Sequence, residues 1–277
     1  MTLIERPASI KSGGVIPVFY GPRELRAGWR LLLFVGILAA LIPLGNLVAR
    51  AIVGDADDVT LELAKKIVNI AVFIVASLGM GKLEGRTLSD YGLPWRQAFR
   101  TRFWQGALIG PGGMSVLLGI MLALGWFQVT GVALHGAGVW KWAAAYLVAF
   151  TIVGLEEEFR FRGYLLSTLS SGIGFWTSAV LISALFGASH LSNSGETWLG
   201  AANARLGGLV FAGLLKISGS LWLPIGMHAG WDWTQSYFYG VPDSGQTLPA
   251  IFSAAVFRVR RGRREGERDL KEVYSAG

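Results

Sequence analysis

The chain has 277 residues, 52% of them hydrophobic and only 16% charged, and its mean hydropathy is +0.48. Ordinary soluble domains carry roughly 25% charged residues, so this composition excludes one and points to a polytopic membrane protein. The apolar residues lie in long runs without heptads, G-X-Y triplets or charged low-complexity blocks, which excludes coiled coil, collagen and disorder. No Cys is present, so disulfides, thiolate metal sites and Cys nucleophiles are ruled out. His occurs only at positions 135, 190 and 228, and the formal charge of +7 fits nucleic acid, anionic lipid or membrane topology as its origin.

In chain order, a polar segment over 1–28 gives way to an apolar run from Trp29 to Val53 with no small-residue cleavage site closing a short apolar core. It is expected to be a retained span rather than a cleaved signal peptide. Further runs lie near 63–81, 103–127, 140–159, 174–190, 199–217 and 220–239, with a shorter eighth from Leu248 to Phe257. Crossing a hydrocarbon core takes about 20 mostly apolar residues, and the runs lack strand alternation, so helices are expected rather than barrel strands. The predicted fold is all-α, a polytopic transmembrane helical bundle of about eight spans. Its expected division is a cytoplasmic N-terminal segment 1–28, a membrane domain 29–257 and a basic cytoplasmic tail 258–277 with no fold of its own.

Cytoplasmic loops of membrane proteins carry an excess of Lys and Arg. Arg6, Lys11, Arg23, Arg26 and Arg30 precede the first span, and Lys82, Arg86, Arg96, Arg100 and Arg102 join the second to the third. Arg160 and Arg162 follow the fourth, Lys216 follows the sixth, and Arg258, Arg260, Arg261, Arg263, Arg264, Arg268 and Lys271 close the chain. With an even number of spans, 20 of the 25 basic residues fall on one side, which predicts both termini in the cytoplasm of a bacterial cytoplasmic membrane. Opposite loops hold Asp55, Asp57, Asp58, Glu196 and Asp243. The charge then marks orientation in a lipid bilayer, and no nucleic-acid partner is expected, because no basic and aromatic binding module is present. Trp95, Trp104, Trp126, Trp140, Trp142 and Trp198 sit near span ends, as interfacial anchors do.

Ionisable residues inside spans cost about 2.5–3.5 kcal/mol each on insertion scales, and each is a functional candidate. The first cluster is Glu156-Glu157-Glu158-Phe159-Arg160-Phe161-Arg162. On a helix Glu158 pairs with Arg162 and Glu156 with Arg160, at i,i+4; Glu157 finds only Phe161 there, and an unpaired, partly desolvated carboxylate suits general-base work. The bland alternative is a helix end decorated with interfacial ion pairs. The second cluster runs from Phe186 to His190 and the third from His228 to Asp232, where imidazole and acid share a face and can hold one ion, or the acid can orient the ring. His135 is expected in a loop. Arg205 is a further buried-charge candidate, to neutralise a glutamate or bind a substrate carboxylate, with snorkelling to the interface as the alternative. Two schemes fit these residue types. In one, Glu and His ligands hold zinc with a position left for water; in the other, metal-free scheme Glu157 takes the proton from water while His and Asp or a nearby donor stabilise the oxyanion.

The order and spacing of Glu157-Glu158-Phe159-Arg160-Phe161-Arg162, Phe186 to His190 and His228 to Asp232 resemble the successive E-E-x-x-x-R, F-x-x-x-H and H-x-x-x-N/D motifs of the CPBP family. This is the CAAX-protease and bacteriocin-processing, or Abi, group of intramembrane proteases. The stretch Ser218 to His228 resembles the family's approach to its last His, and the likeness covers roughly 150–240. It implies an intramembrane endopeptidase acting on a membrane-associated protein or peptide, including the prenylated C-a-a-X type. Glu157 would activate water, Glu158 and Arg162 would support it, and His190, His228 and Asp232 would bind a divalent metal or stabilise the oxyanion. Zinc, if held, would take Glu157, His190, His228 and Asp232 as ligands, and Phe186 and Arg205 would contact substrate. Asp232 stands where Asn is common, which adds negative charge. A non-catalytic scaffold or bacteriocin-immunity protein and a proton-coupled transporter are the competing functions.

Straight spans at about 1.5 Å per residue would leave Glu157 near the cytoplasmic end, His228 near mid-depth and His190 towards the far side. For the three side chains to come within about 12 Å, with helices packed at about 8–10 Å, span four is expected to run on to about Leu166. Span five is expected to begin later than Phe175 or to tilt strongly.

Overall fold

The computed structural model describes residues 25–193, 195–243, 249–261 and 268–275, so Arg6, Lys11, Arg23, Arg263 and Arg264 lie outside the described residues. Helix α1 covers Ala27–Val53 and α2 Asp58–Glu84. After two 3-10 turns come α3, Thr101–Ala123, and strand β1, Phe127–Val132. Helix α4, Ala137–Arg160, passes through a π turn at Phe161–Leu165 into α5, Leu166–Ile173. Then follow α6, Phe175–His190, α7, Trp198–Ser218, and α8, Trp222–Asp232, which widens into a second π turn at Trp233–Phe238. Strands β2, Phe252–Arg261, and β3, Arg268–Ser275, close the order.

Among the described residues, five helical segments, Ala27–Val53, Asp58–Glu84, Thr101–Ala123, Ala137–Ile173 and Trp198–Ser218, are long and apolar enough to cross a membrane, while Phe175–His190 is shorter. Leu47, Ile52, Val75, Leu108, Val116 and Ile217 are exposed on these helices, which is the polarity expected of a surface facing lipid rather than water. Asp57 caps α2: its carboxylate accepts from the Thr60 N–H at 3.0 Å and the Thr60 hydroxyl at 2.8 Å. These bonds hold the Asp57 carboxyl below the usual carboxylate range.

The expected eighth span is not a helix. Its residues enter β2, which pairs antiparallel with β1, Phe127 opposite Val256 and Val132 opposite Phe252, and with β3 on its other edge. A ten-residue run is too short to cross lipid, and a strand beside it offers ladder partners for its backbone. The fold is mainly helical with this small sheet rather than purely α, and part of the tail expected to lack a fold supplies the end of β2 and all of β3.

Glycine seams set the relation of the helices. A Cβ on Gly226 would lie 2.0 Å from the Phe103 carbonyl oxygen, one on Gly106 2.1 Å from that of Leu223, and one on Gly110 2.4 Å from that of Met227. Helices α3 and α8 therefore run side by side in the same direction, nearly backbone to backbone. Their starts share one face, where the Leu221 N–H donates to the Gly92 carbonyl at 2.7 Å and the Trp222 indole to that of Pro94 at 3.1 Å. The start of α1 and the end of α2 join there through Arg30 and Glu84, 3.1 Å apart. The ends of α3 and α8 lead to β1 and β2 on the opposite face. Arg258, Arg260, Arg261, Arg268 and Lys271 lie in strands across the bundle from Arg26, because the last run turns into a strand instead of crossing back; the expectation for the termini themselves falls outside the described residues.

Span four continues well past Leu166, to Ile173, and α6 starts at Phe175 directly after Gly174 rather than later. The overrun leaves Glu157 deep within a helical segment that ends 16 residues further on. Because the chain has no Cys, single cysteines at Arg96, Gln128 and Ser253 test the layout in sealed vesicles. A membrane-impermeant maleimide should label the Gln128 and Ser253 positions from the same side and the Arg96 position only from the other.

Candidate active site

Consecutive helical residues point about 100° apart, so Glu156, Glu157 and Glu158 face three directions from the end of α4. Glu158 is fully buried; its Oε1 accepts from Arg162 Nη1 at 3.0 Å and from His228 Nδ1 at 2.9 Å. The Arg162 guanidinium lies 4.2 Å over the Phe186 ring and 5.5 Å from that of Phe211, a cation–π arrangement that strengthens away from water. Glu156 meets Lys66 Nζ and Arg160 Nη1, each at 3.5 Å. Both i,i+4 pairs read from the sequence are present.

Glu157 differs from its neighbours. Its side chain is 16% exposed against 2% and 0% for Glu156 and Glu158. Its Oε1 accepts from Lys66 Nζ at 2.9 Å, and its Oε2 lies 3.8 Å from His228 Nε2. The expectation that Glu157 lacks a basic partner is therefore corrected: the i,i+4 rule sees only one helix, and the partner comes from α2, 91 residues earlier. The signal was in the chain, since Lys65-Lys66 is a pair of ionisable residues inside an apolar run, which is itself a mark of function.

His228 projects from α8, where Gly226 and Gly230 let α3 approach on one side, and stacks on Phe211 at 4.9 Å and 9°. Its Nε2 lies 3.3 Å from Asp232 Oδ2, one turn on. His190 ends α6, and its Nδ1–H donates to the Phe186 carbonyl at 2.8 Å. The Phe186 ring stands 4.6 Å from the His190 ring and 6.3 Å from the His228 ring, which bounds the two imidazoles to about 11 Å of each other. Phe186 itself is buried, shared among Arg162 and both imidazoles. Arg205 is exposed on α7 and forms no ion pair with the glutamates among the described residues; Lys66, Arg160 and Arg162 neutralise them instead. His135 lies in the loop between β1 and α4.

Among the described residues, no group of three His, Asp or Glu side chains is placed to hold a metal ion. Both His228 nitrogens and His190 Nδ1 already face protein oxygens, so zinc would require these side chains to open around it. Proton transfer is within reach without that change: an accessible carboxylate stands between an ammonium and an imidazole that two other carboxylates hold.

Replacing Arg162 with Met should lower stability by about 3–5 kcal/mol, the effect of stranding a buried charge, and Arg162→Lys should recover only part of it, because a point charge lacks the planar fork. Adding Glu158→Gln to the Met variant should restore much of the loss; thermal unfolding in detergent measures each step.

Comparison with curated proteins and with solved structures gave no match. Residues 139–234 match the family model Rce1-like, described as type II CAAX prenyl endopeptidase Rce1-like. That span contains Glu157, Glu158, Arg162, Phe186, His190, Arg205, His228 and Asp232 and leaves Lys66 outside. Residues 139–234 are thus similar to the Rce1-like type II CAAX prenyl endopeptidase family, in keeping with the CPBP resemblance of the three motifs.

Proposed function

We propose that this integral membrane protein hydrolyses a peptide bond in a membrane-associated protein or peptide, with Glu157 as the general base. The observation that carries the reading is the singular position of Glu157, the one open glutamate of three, directed at His228 across 3.8 Å. A separation of that size is one that a water can bridge. Such a water would give its proton to Glu157 Oε2 as its oxygen attacks the peptide carbonyl, and Glu157 would return the proton to the departing amine. Glu158 and Asp232 hold the His228 ring on either side, and Arg162 keeps Glu158 in place. Phe186 would form the wall behind both imidazoles, and Arg205 an exposed cation for an acidic group of the substrate. The family description favours a prenylated C-a-a-X substrate.

Zinc is a second reading on residue type alone: Glu157, His190, His228 and Asp232 are the kinds of side chain that bind zinc with a position left for water, and they would have to regroup to hold it. No proton step above passes through it. The face bearing Arg26, Arg30, Lys82, Arg86, Arg96, Arg100, Arg102 and Lys216 would be cytoplasmic by the positive-inside rule, in a bacterial cytoplasmic membrane.

The test is purified protein in detergent with a quenched peptide library that includes prenylated C-a-a-X peptides. Glu157→Gln should lower kcat by at least about 100-fold, and His228→Ala should also inactivate. Cleavage that survives both changes removes these residues from the mechanism, while binding without cleavage by the wild type favours the scaffold reading. Proton flux in liposomes without cleavage favours a transporter. Loss of activity in chelator, restored by zinc, supports the metal reading.

A further inference from the structure

We propose that Lys66 is a catalytic residue of this site, whose third ammonium N–H receives the oxyanion formed from the substrate carbonyl; the proposal rests on the endopeptidase reading of Glu157. An ammonium has three donors. Lys66 directs them at Glu157 Oε1, at 2.9 Å, and at Glu156 Oε2, at 3.5 Å, which leaves one, and the side chain is 27% exposed.

The other donors around Glu157 are committed. His228 faces Glu158 through Nδ1 and Asp232 through Nε2. His190 gives its Nδ1–H to the Phe186 carbonyl. Arg162 has Nε and Nη2 without hydrogen-bond partners, but its guanidinium is fully buried over Phe186, with Nη2 2.7 Å from where a Cβ on Gly208 would stand. Of the two side chains that meet Glu157, Lys66 and His228, Lys66 is the one with an N–H left over and an exposed side for a substrate oxygen.

Charge movement in the reaction gives the same answer. As Glu157 takes the proton, an O–H bond of water breaks and the water oxygen bonds to the carbonyl carbon. The carbonyl π pair moves onto its oxygen, so one negative charge leaves Glu157 and appears on the oxyanion. Lys66 loses its partner at the moment a new anion forms within its reach. The ammonium compensates both states without moving, the preorganised situation in which a charge stabilises a transition state most. Collapse breaks the C–N bond, the amine takes the proton from Glu157, and acid and amine products leave with Glu157 and Lys66 paired again. With Glu156 beside the site as well, an oxyanion facing two acidic side chains and no cation would be strongly disfavoured.

The experiment uses the full-length protein and any peptide it cleaves. Lys66→Met is expected to lower kcat about 100-fold, the effect of removing one oxyanion donor, with KM changed by less than about twofold. Affinity for a phosphinate analogue of the peptide, whose tetrahedral anion mimics the oxyanion, should fall by the same factor as kcat/KM. Affinity for an uncharged ketomethylene analogue should stay constant, which also shows that the variant is folded. If Lys66→Met does not fold, Lys66→Ala assayed with added methylamine replaces it, and recovery of kcat is the expected result. Undiminished kcat in Lys66→Met, equal loss of affinity for both analogues, or no amine rescue of Lys66→Ala would overturn the role of Lys66. Cleavage by wild type that Glu157→Gln leaves unchanged would overturn the general-base reading, and the Lys66 proposal with it.

Discussion

The Glu158 carboxylate, buried and bridging Arg162 to His228, is the interaction around which the rest of the site is arranged. Charges withdrawn from water into an apolar bundle are tolerated only in close, well-directed pairs, and each requirement of this one is visible in neighbouring residues. Arg162 reaches back one helical turn to Glu158, and its flat guanidinium needs aromatic faces, which Phe186 and Phe211 supply. It also needs space, which the missing side chain of Gly208 leaves open on α7. His228 needs α8 to lie close to α4, and Gly154 allows it: a Cβ there would be 3.1 Å from the Ile225 carbonyl oxygen. Four helices are thus fixed around one carboxylate.

A second buried charge group brings together the other end of the bundle. Glu84 receives Arg30 at 3.1 Å, the Tyr91 hydroxyl at 3.2 Å and the Tyr164 hydroxyl, and Arg30 reaches Ser171 Oγ at 2.6 Å. These residues come from α1, α2, the turn after α2, the first π turn and α5. The two groups differ in access. The Arg30 and Glu84 side chains are nearly sealed, at 3% and 4% exposed, whereas the group around Glu158 has an open edge at Glu157 and Lys66. That contrast separates a charge cluster that holds helices together from one that can meet a reactant.

What the sequence made legible follows from locality. The apolar runs, the i,i+4 pairs at Glu156–Arg160 and Glu158–Arg162, and the likeness of the three motifs all depend on spacing within one segment, and each has a counterpart in the structure. The partner of Glu157 was not legible, because an ion pair between residues 66 and 157 is a property of helix packing, and hydropathy places both only in spans. The strand at 252–261 was missed for a related reason: a short apolar run has no preference of its own until an edge such as β1 is beside it. The face of the bundle that 252–261 reaches depends on the same point, since one crossing fewer reverses every side after it.

The π turn at Phe161–Leu165 carries a further consequence. In a regular helix, Glu158, Arg162 and residues one and two turns later would share a single stripe. The turn, kinked at Gly163, resets the angular phase, so Glu158 and Arg162 before the kink serve His228 while Tyr164 and Ser171 beyond it serve Glu84 and Arg30. This 37-residue segment is two helices joined across a kink at Gly163, with two polar faces whose relative angle that one irregularity sets. Removing one residue there would change the angle of everything beyond it, keeping the hydropathy intact while taking one of the two charge groups away from its partners. The length of this segment between its two clusters is, in evolutionary terms, a more stringent quantity than its composition.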